Sequence, residues 1–140
     1  MEKYKCVLLV DDDTICNFIN YVSLEKLKIA ERIEIKRNGQ EALKFLEKYH
    51  RDNNCLPELI LVDILMPVMD GYEFLEVFEK LAYNSSIKPV IIIVSALLSA
   101  KDIAYLNNKG YPWFLNKPLD KDKLLGILNQ SLKVQGAGAH

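Results

Sequence analysis

Apolar runs of strand length alternate with segments of helical period along the chain. "YKCVLLV" (Tyr4 to Val10) is apolar nearly throughout and reads as a strand buried on both faces of a parallel sheet. Ile15, Phe18, Ile19 and Val22 then keep helical spacing, with Asp13 or Thr14 to cap the helix. "ERIEIKR" alternates polar and apolar residues, as an edge-like second strand does. "NGQEALKFLEKY" opens with a turn and continues as a helix, with Ala42, Leu43, Phe45 and Leu46 inward. "CLPELILVD" holds the third strand, and "GYEFLEVFEKLA" is a helix offering Phe74, Leu75, Val77, Phe78 and Leu81 to the core. "KPVIIIVSA" is the fourth strand, "SAKDIAYLNNKG" a helix ended by Asn and Gly, and "YPWFLNKP" a short fifth strand. "DKDKLLGILNQSLK" is the last helix, striped by Leu124, Leu125, Ile127, Leu128 and Leu132. His50 precedes Arg51 in a polar loop and reads as an ordinary surface residue.

Five alternating strand–helix units predict an α/β protein with a doubly wound parallel sheet. In such sheets ligands bind beyond the carboxyl ends of the strands, where the strand order reverses. Asp11, Asp12 and Asp13 follow the first strand and Asp63 the third. Ser95 and Ala96 follow the fourth strand, and Lys117 and Pro118 the fifth. A flavodoxin-like order 2-1-3-4-5 brings these ends together as carboxylates, a hydroxyl and an ammonium. Clustered carboxylates repel one another. A hard divalent cation relieves that repulsion, and an all-oxygen donor set suits Mg²⁺. A carboxylate between a metal and an ammonium can attack phosphorus, and both cations stabilise the transferring group. Asp13 is the candidate helix cap. Asp70-Gly71 reads as a turn and cap.

Composition and charge narrow the field. The 140 residues suit one domain, with 50% hydrophobic and 26% charged. A formal net charge of -1 gives no basic field for direct nucleic-acid binding. The apolar N-terminal run is too short for a signal core or membrane span, so the expected location is cytoplasmic, with no membrane insertion. Cys6, Cys16 and Cys55 lack metal-ligand spacing and suit reduced thiols. Residues 1–133 read as the domain, and 134–140 as a flexible tail or one added by cloning.

The motifs "LLVDDD", "LVDILMPVMDGYEF", "IIIVSA" and "FLNKPLD" together resemble the CheY-like receiver domain of two-component response regulators, from about Tyr4 to Leu132. The resemblance implies that Asp63 accepts a phosphoryl group from a histidine kinase or a histidine phosphotransfer protein. It implies Asp11 and Asp12 as the acidic pair, with Asp12, Asp63 and the backbone carbonyl of Leu65 as Mg²⁺ ligands. Ser95 would hydrogen-bond the phosphoryl group, and Lys117 would pair with it across a cis Lys117-Pro118 bond. Phe114 stands where the family carries a switch aromatic; a plain core aromatic is the other reading. Movement of Ser95 and Phe114 would reshape the face of helix four, strand five and helix five. The first helix, around Asn17, Phe18, Asn20 and Tyr21, is where relatives meet their kinases.

Leu65 and Leu97 depart from the more polar choices of many relatives. With Ala96 they flank the pocket mouth, and the two leucines predict slow loss of the phosphoryl group. No DNA-binding or catalytic segment follows Lys133, so output is expected through a protein target, with homodimerisation on phosphorylation left open. Two rivals stand beside this reading. One is a pseudo-receiver that only docks. The other is a haloacid-dehalogenase-like phosphatase with Asp11 as nucleophile, faintly suggested by "DDDTI", although Ile15 occupies the position where that motif has Thr or Val.

Overall fold

In the computed structural model, five parallel strands form one sheet in the order β2-β1-β3-β4-β5. The structure describes residues 3–66, 69–82 and 88–138, and side chains through 131 except that of residue 82. Pro67 of the "LVDILMPVMDGYEF" motif, the Leu132 side chain and tail residues 139–140 lie outside the described residues. The strands are β1 Val7–Val10, β2 Ile33–Lys36, β3 Leu59–Val62, β4 Val90–Ser95 and β5 Phe114–Asn116. The helices are α1 Thr14–Leu27, α2 Gly39–Asn53, α3 Gly71–Ala82, α4 Ala100–Asn108 and α5 Lys121–Gly138. This is the flavodoxin-like architecture expected from the alternating pattern.

β1, β3 and β4 are buried along their whole length, which is why they read as unbroken apolar runs. Successive side chains point to opposite faces. Leu8, Val10, Ile60, Val62, Ile91 and Ile93 join a core with Ala42 and Leu46 of α2, Phe74 and Phe78 of α3 and Leu106 of α4. Val7, Leu9, Leu59, Leu61, Ile92 and Val94 join a second core with Leu24 of α1 and Leu124 and Leu128 of α5.

Local chemistry sets the helix starts. Asp13 caps α1 by accepting from the Ile15 and Cys16 N–H groups at 2.9 and 3.2 Å. Asn38 caps α2, and Ser99 and Asp102 form a reciprocal capping box at α4. Asp70 Oδ1 accepts from Glu73 N at 2.9 Å at the start of α3.

Several boundaries and faces differ from the sequence reading. β1 begins at Val7, and Tyr4 makes only an isolated bridge to Ala30. α2 runs on to Asn53, which places His50 in its last turn and not in a loop. α5 stays helical past Lys133 to Gly138. Val77 is 40% exposed and does not reach the core.

The largest difference is the orientation of α1. Its apolar stripe faces solvent, with Ile15 71%, Phe18 66% and Ile19 40% exposed, while Asn17, Asn20 and Leu24 are buried. Asn17 and Asn20 are therefore too buried to belong to an outward docking surface, whereas Phe18 and Tyr21 are exposed. A buried Asn requires hydrogen bonds to repay its desolvation, and Asn17 finds one at the end of β1.

Candidate functional site

Strand register brings the acids together. Val10 pairs with Val62 across β1 and β3, so the next residues, Asp11 and Asp63, emerge side by side. Asp11 is 3% and Asp63 5% exposed. Ser95 pairs with Asn116 across β4 and β5, and Lys117 N donates to the Ser95 carbonyl at 2.9 Å. That register carries Lys117 across the end of β4 toward the acids. Its Nζ lies 2.7 Å from Asp11 Oδ2 and 2.7 Å from Asp63 Oδ2. The Lys117-Pro118 peptide is cis.

The remaining carboxylate oxygens are also engaged. Asp63 Oδ1 accepts from Leu65 N at 3.1 Å, and Asp11 Oδ1 from Asp13 N at 2.9 Å. Burial raises the Asp63 carboxyl pKa above the ordinary value, against the opposing hydrogen bonds from Lys117 and Leu65 N. For Lys117, burial alone favours the neutral amine. Its bonds to Asp11 and Asp63 outweigh that, and its pKa is raised. The site thus holds a charged ammonium between two largely desolvated carboxylates.

Carboxylate oxygens of Asp11, Asp12 and Asp63 all lie within 4.8 Å of one another. Mg²⁺ binds oxygens at about 2.1 Å in an octahedron, so opposite ligands stand about 4.2 Å apart. Neighbouring ligands stand about 3.0 Å apart, so side-chain adjustment would be needed for the three carboxylates to converge on such an ion. Their donor set is hard oxygen only, as Mg²⁺ requires.

Ser95 is buried, and its Oγ donates to the Leu97 carbonyl over a long 3.4 Å. So extended a bond is readily exchanged for a better acceptor. Ala96 is exposed, Leu65 is 65% exposed and Leu97 80%. Phe114, at the start of β5, is half-buried against the core on the α2–α3–α4 side of the sheet.

Two residues support the site in ways the sequence pattern does not show. Asn17 Nδ2 donates to the Asp11 backbone carbonyl at 2.7 Å and braces the acidic turn. Its helical spacing with Asn20 and Leu24 was the available signal. Gly71 N donates to the Ile64 carbonyl at 2.8 Å, and a Cβ on Gly71 would meet Ile64 Cα at 2.6 Å and the Asp63 carbonyl oxygen at 2.8 Å. Gly71 therefore allows the start of α3 to lie directly against the Asp63 backbone.

The response regulator receiver domain model matches residues 7–129. The chain belongs to the response regulator receiver domain family. Receiver domains serve two-component signalling, interact with histidine kinases or phosphotransfer proteins, and generally bind Mg²⁺ at acidic residues. Among curated relatives, the chain is 31% identical over 124 residues to a probable transcriptional regulator, ycf29, of Porphyra purpurea, covering 87% of this chain and 54% of that protein. The chain thus spans about half the length of the first curated relatives it matches.

A two-component response regulator from Cytophaga hutchinsonii superposes with a TM-score of 0.83 at 27% identity, over 94% of this chain and 99% of that one. The receiver domain of the histidine kinase CKI1 from Arabidopsis thaliana, complexed with Mg²⁺ and BeF₃⁻, gives a TM-score of 0.76 at 26% identity, covering 91% and 90%. Among the described residues of this receiver domain, no helix is long and apolar enough to cross a membrane.

Proposed function

We propose that this receiver domain takes a phosphoryl group from a phosphohistidine donor onto Asp63. The observation that carries the reading is Lys117 Nζ at 2.7 Å from both Asp11 and Asp63, with the Asp12 carboxylate completing the acidic cluster. An Asp63 carboxylate oxygen attacks phosphorus. The P–N bond breaks, and the imidazole nitrogen leaves with its electron pair and takes up a proton. The Arabidopsis neighbour's complex with Mg²⁺ and BeF₃⁻ supports the same chemistry here.

Asp12, Asp63 and the Leu65 carbonyl would hold Mg²⁺, with Asp11 completing the acidic pair. When bound, the ion supplies charge neutralisation at the transferring group. Lys117 is already aimed at Asp63 and would shift its hydrogen bond to a phosphoryl oxygen. Ser95 would trade its long bond to the Leu97 carbonyl for another phosphoryl oxygen. The β4–α4 loop then moves, Phe114 gains room to turn inward, and the α4–β5–α5 face changes shape for a protein partner.

The test is incubation with Mg²⁺ and phosphoramidate or acetyl phosphate, followed by intact mass. A labile gain of about 80 Da on the native chain, absent from Asp63→Ala, is expected. Equal gain on both chains refutes Asp63 as acceptor. Turnover of a generic phosphate ester that depends on Asp11 but not Asp63 would favour the phosphatase reading instead.

A further inference from the structure

β2 is the edge strand of the sheet, and none of its residues is buried. β1 takes one side of its backbone. Val7 N donates to the Arg32 carbonyl and Asp11 N to the Lys36 carbonyl, at 2.9 and 3.1 Å. In a parallel ladder the alternate residues then direct their N–H and C=O groups outward, and here those residues are Ile33 and Ile35. Among the described residues, no backbone partner meets that outer edge.

Beside the edge, between β2 and α2, runs an open groove of about 610 Å³. Its cations are Arg32, Lys36, Arg37, Lys44 and Lys48. Its acids are Glu34, Glu41 and Asp52. Arg32 and Glu34 pair at 2.8 Å, and Glu41 accepts from the Arg37 backbone N–H at 3.3 Å. With five cations against three acids, the groove is formally positive by two on a chain whose formal net charge is -1. We propose that the β2–α2 groove docks an acidic protein segment, which adds to β2 as a further strand.

Charge and geometry select this occupant over others. Outward N–H and C=O groups on an edge recruit an extended peptide, and flanking cations recruit acidic side chains. A second copy of the chain would bring the same cations to the same edge and be repelled. A single-stranded nucleic acid needs open aromatic faces for base stacking. Here Arg32 already stacks on Phe45 and Tyr49 at 5.5 and 5.9 Å, and Lys36 on Phe45 at 5.4 Å. The same stacking fixes two of the cations beside the edge, so less side-chain freedom is lost on docking. This surface lies at the opposite edge of the sheet from β5, so it could hold a partner while the α4–β5–α5 face is engaged.

The probe is a blocked, labelled hexapeptide, Glu-Val-Glu-Ile-Glu-Val, titrated at low salt and read by anisotropy and by amide NMR shifts. The expected result is saturable binding, with the largest shifts at the Ile33 and Ile35 amides. The Lys44→Glu/Lys48→Glu variant should bind about tenfold more weakly, while its amide spectrum away from the groove is unchanged. Replacing the valines and isoleucine of the peptide with proline should abolish binding, because proline cannot donate to a ladder.

No binding, shifts mapped elsewhere, or equal affinity for the charge-reversed variant would overturn the proposal. Equal binding of the proline peptide would remove the strand-addition geometry and overturn it too. Tighter binding of an oligo-dT of equal charge would assign the groove to nucleic acid. A dimer in sedimentation that breaks up on adding the peptide would assign the edge to a second copy.

Discussion

Replacing Lys117 by methionine keeps the stem of the side chain and deletes the ammonium that joins Asp11 and Asp63. Both carboxylates are 5% exposed and stand 2.7 Å from Nζ. Removing one partner of a buried ion pair costs about 3–5 kcal/mol, because the remaining charge is left desolvated. The lysine side chain is itself 15% exposed, so water reaches one side of the cluster and the lower end applies, about 3 kcal/mol.

The assay is urea denaturation in EDTA, comparing native chain, Lys117→Met and Asp63→Asn. Asp63→Asn leaves Lys117 paired with Asp11 and should lose much less, on the order of 1 kcal/mol or below. Repeating the series in Mg²⁺ supplies the second reading. Ligand bound only to the folded state adds about 2.7 kcal/mol at a hundred times its Kd. Without Lys117 the site is more negative, so Mg²⁺ should stabilise Lys117→Met more than the native chain and recover most of its deficit. A metal-free loss below about 1 kcal/mol would show that the ion pair does not hold the acids together. Equal Mg²⁺ stabilisation of both chains would show that the ion does not share these carboxylates.

Gly71→Ala forces a Cβ to 2.6 Å from Ile64 Cα, so the loop carrying Asp63 must shift; a loss of about 1–3 kcal/mol in urea melts and slower phosphorylation by intact mass are expected, and native behaviour would contradict the close approach. Exchanging Leu65 and Leu97 for polar residues that can position water should shorten the life of the phosphorylated form, followed by loss of the 80 Da adduct over time; an unchanged half-life removes the leucines from the explanation. Asp102 has a lowered pKa, held down first by the Tyr72 hydroxyl and then by Ser99. A depressed folded-state pKa gives stability that is present above the unfolded value of 3.8 and lost as pH falls through the folded one. Asp102→Asn should therefore be less stable than the native chain at neutral pH and converge with it in acid; a constant gap down to strongly acid pH would argue against the linkage.

Sheet order and site were legible for one physical reason. Central parallel strands are buried on both faces, so their runs are uniformly apolar and their ends stand out as the first charged residue. Asp11 and Asp63 were read that way, and the β1–β3 register then leaves them little choice but adjacency. The partner of the Tyr72 hydroxyl, which lies on Asp102 at 2.5 Å, was not legible. Nor was that of Tyr111, which reaches Glu79 at 2.6 Å. These bonds join residues about thirty positions apart, and no local period encodes them.

α1 shows why periodicity can mislead. A stripe of Ile15, Phe18, Ile19 and Val22 has the spacing of a core face, and spacing alone cannot say which face turns inward. The anchor is polar. Asp13 fixes where the helix starts, and Asn17 must meet the Asp11 carbonyl one turn later. Those two contacts set the rotation of the helix, and Asn20 and Leu24 follow onto the buried side. Ile15, Phe18 and Ile19 are thereby turned to solvent beside the acidic cluster, while Val22 stays half-buried. The inward face of the helix is thus set by the backbone of the acidic cluster and its apolar side is left outward, so under the proposed phosphotransfer a donor docked on α1 and the bracing of Asp11 would occupy opposite faces of one element.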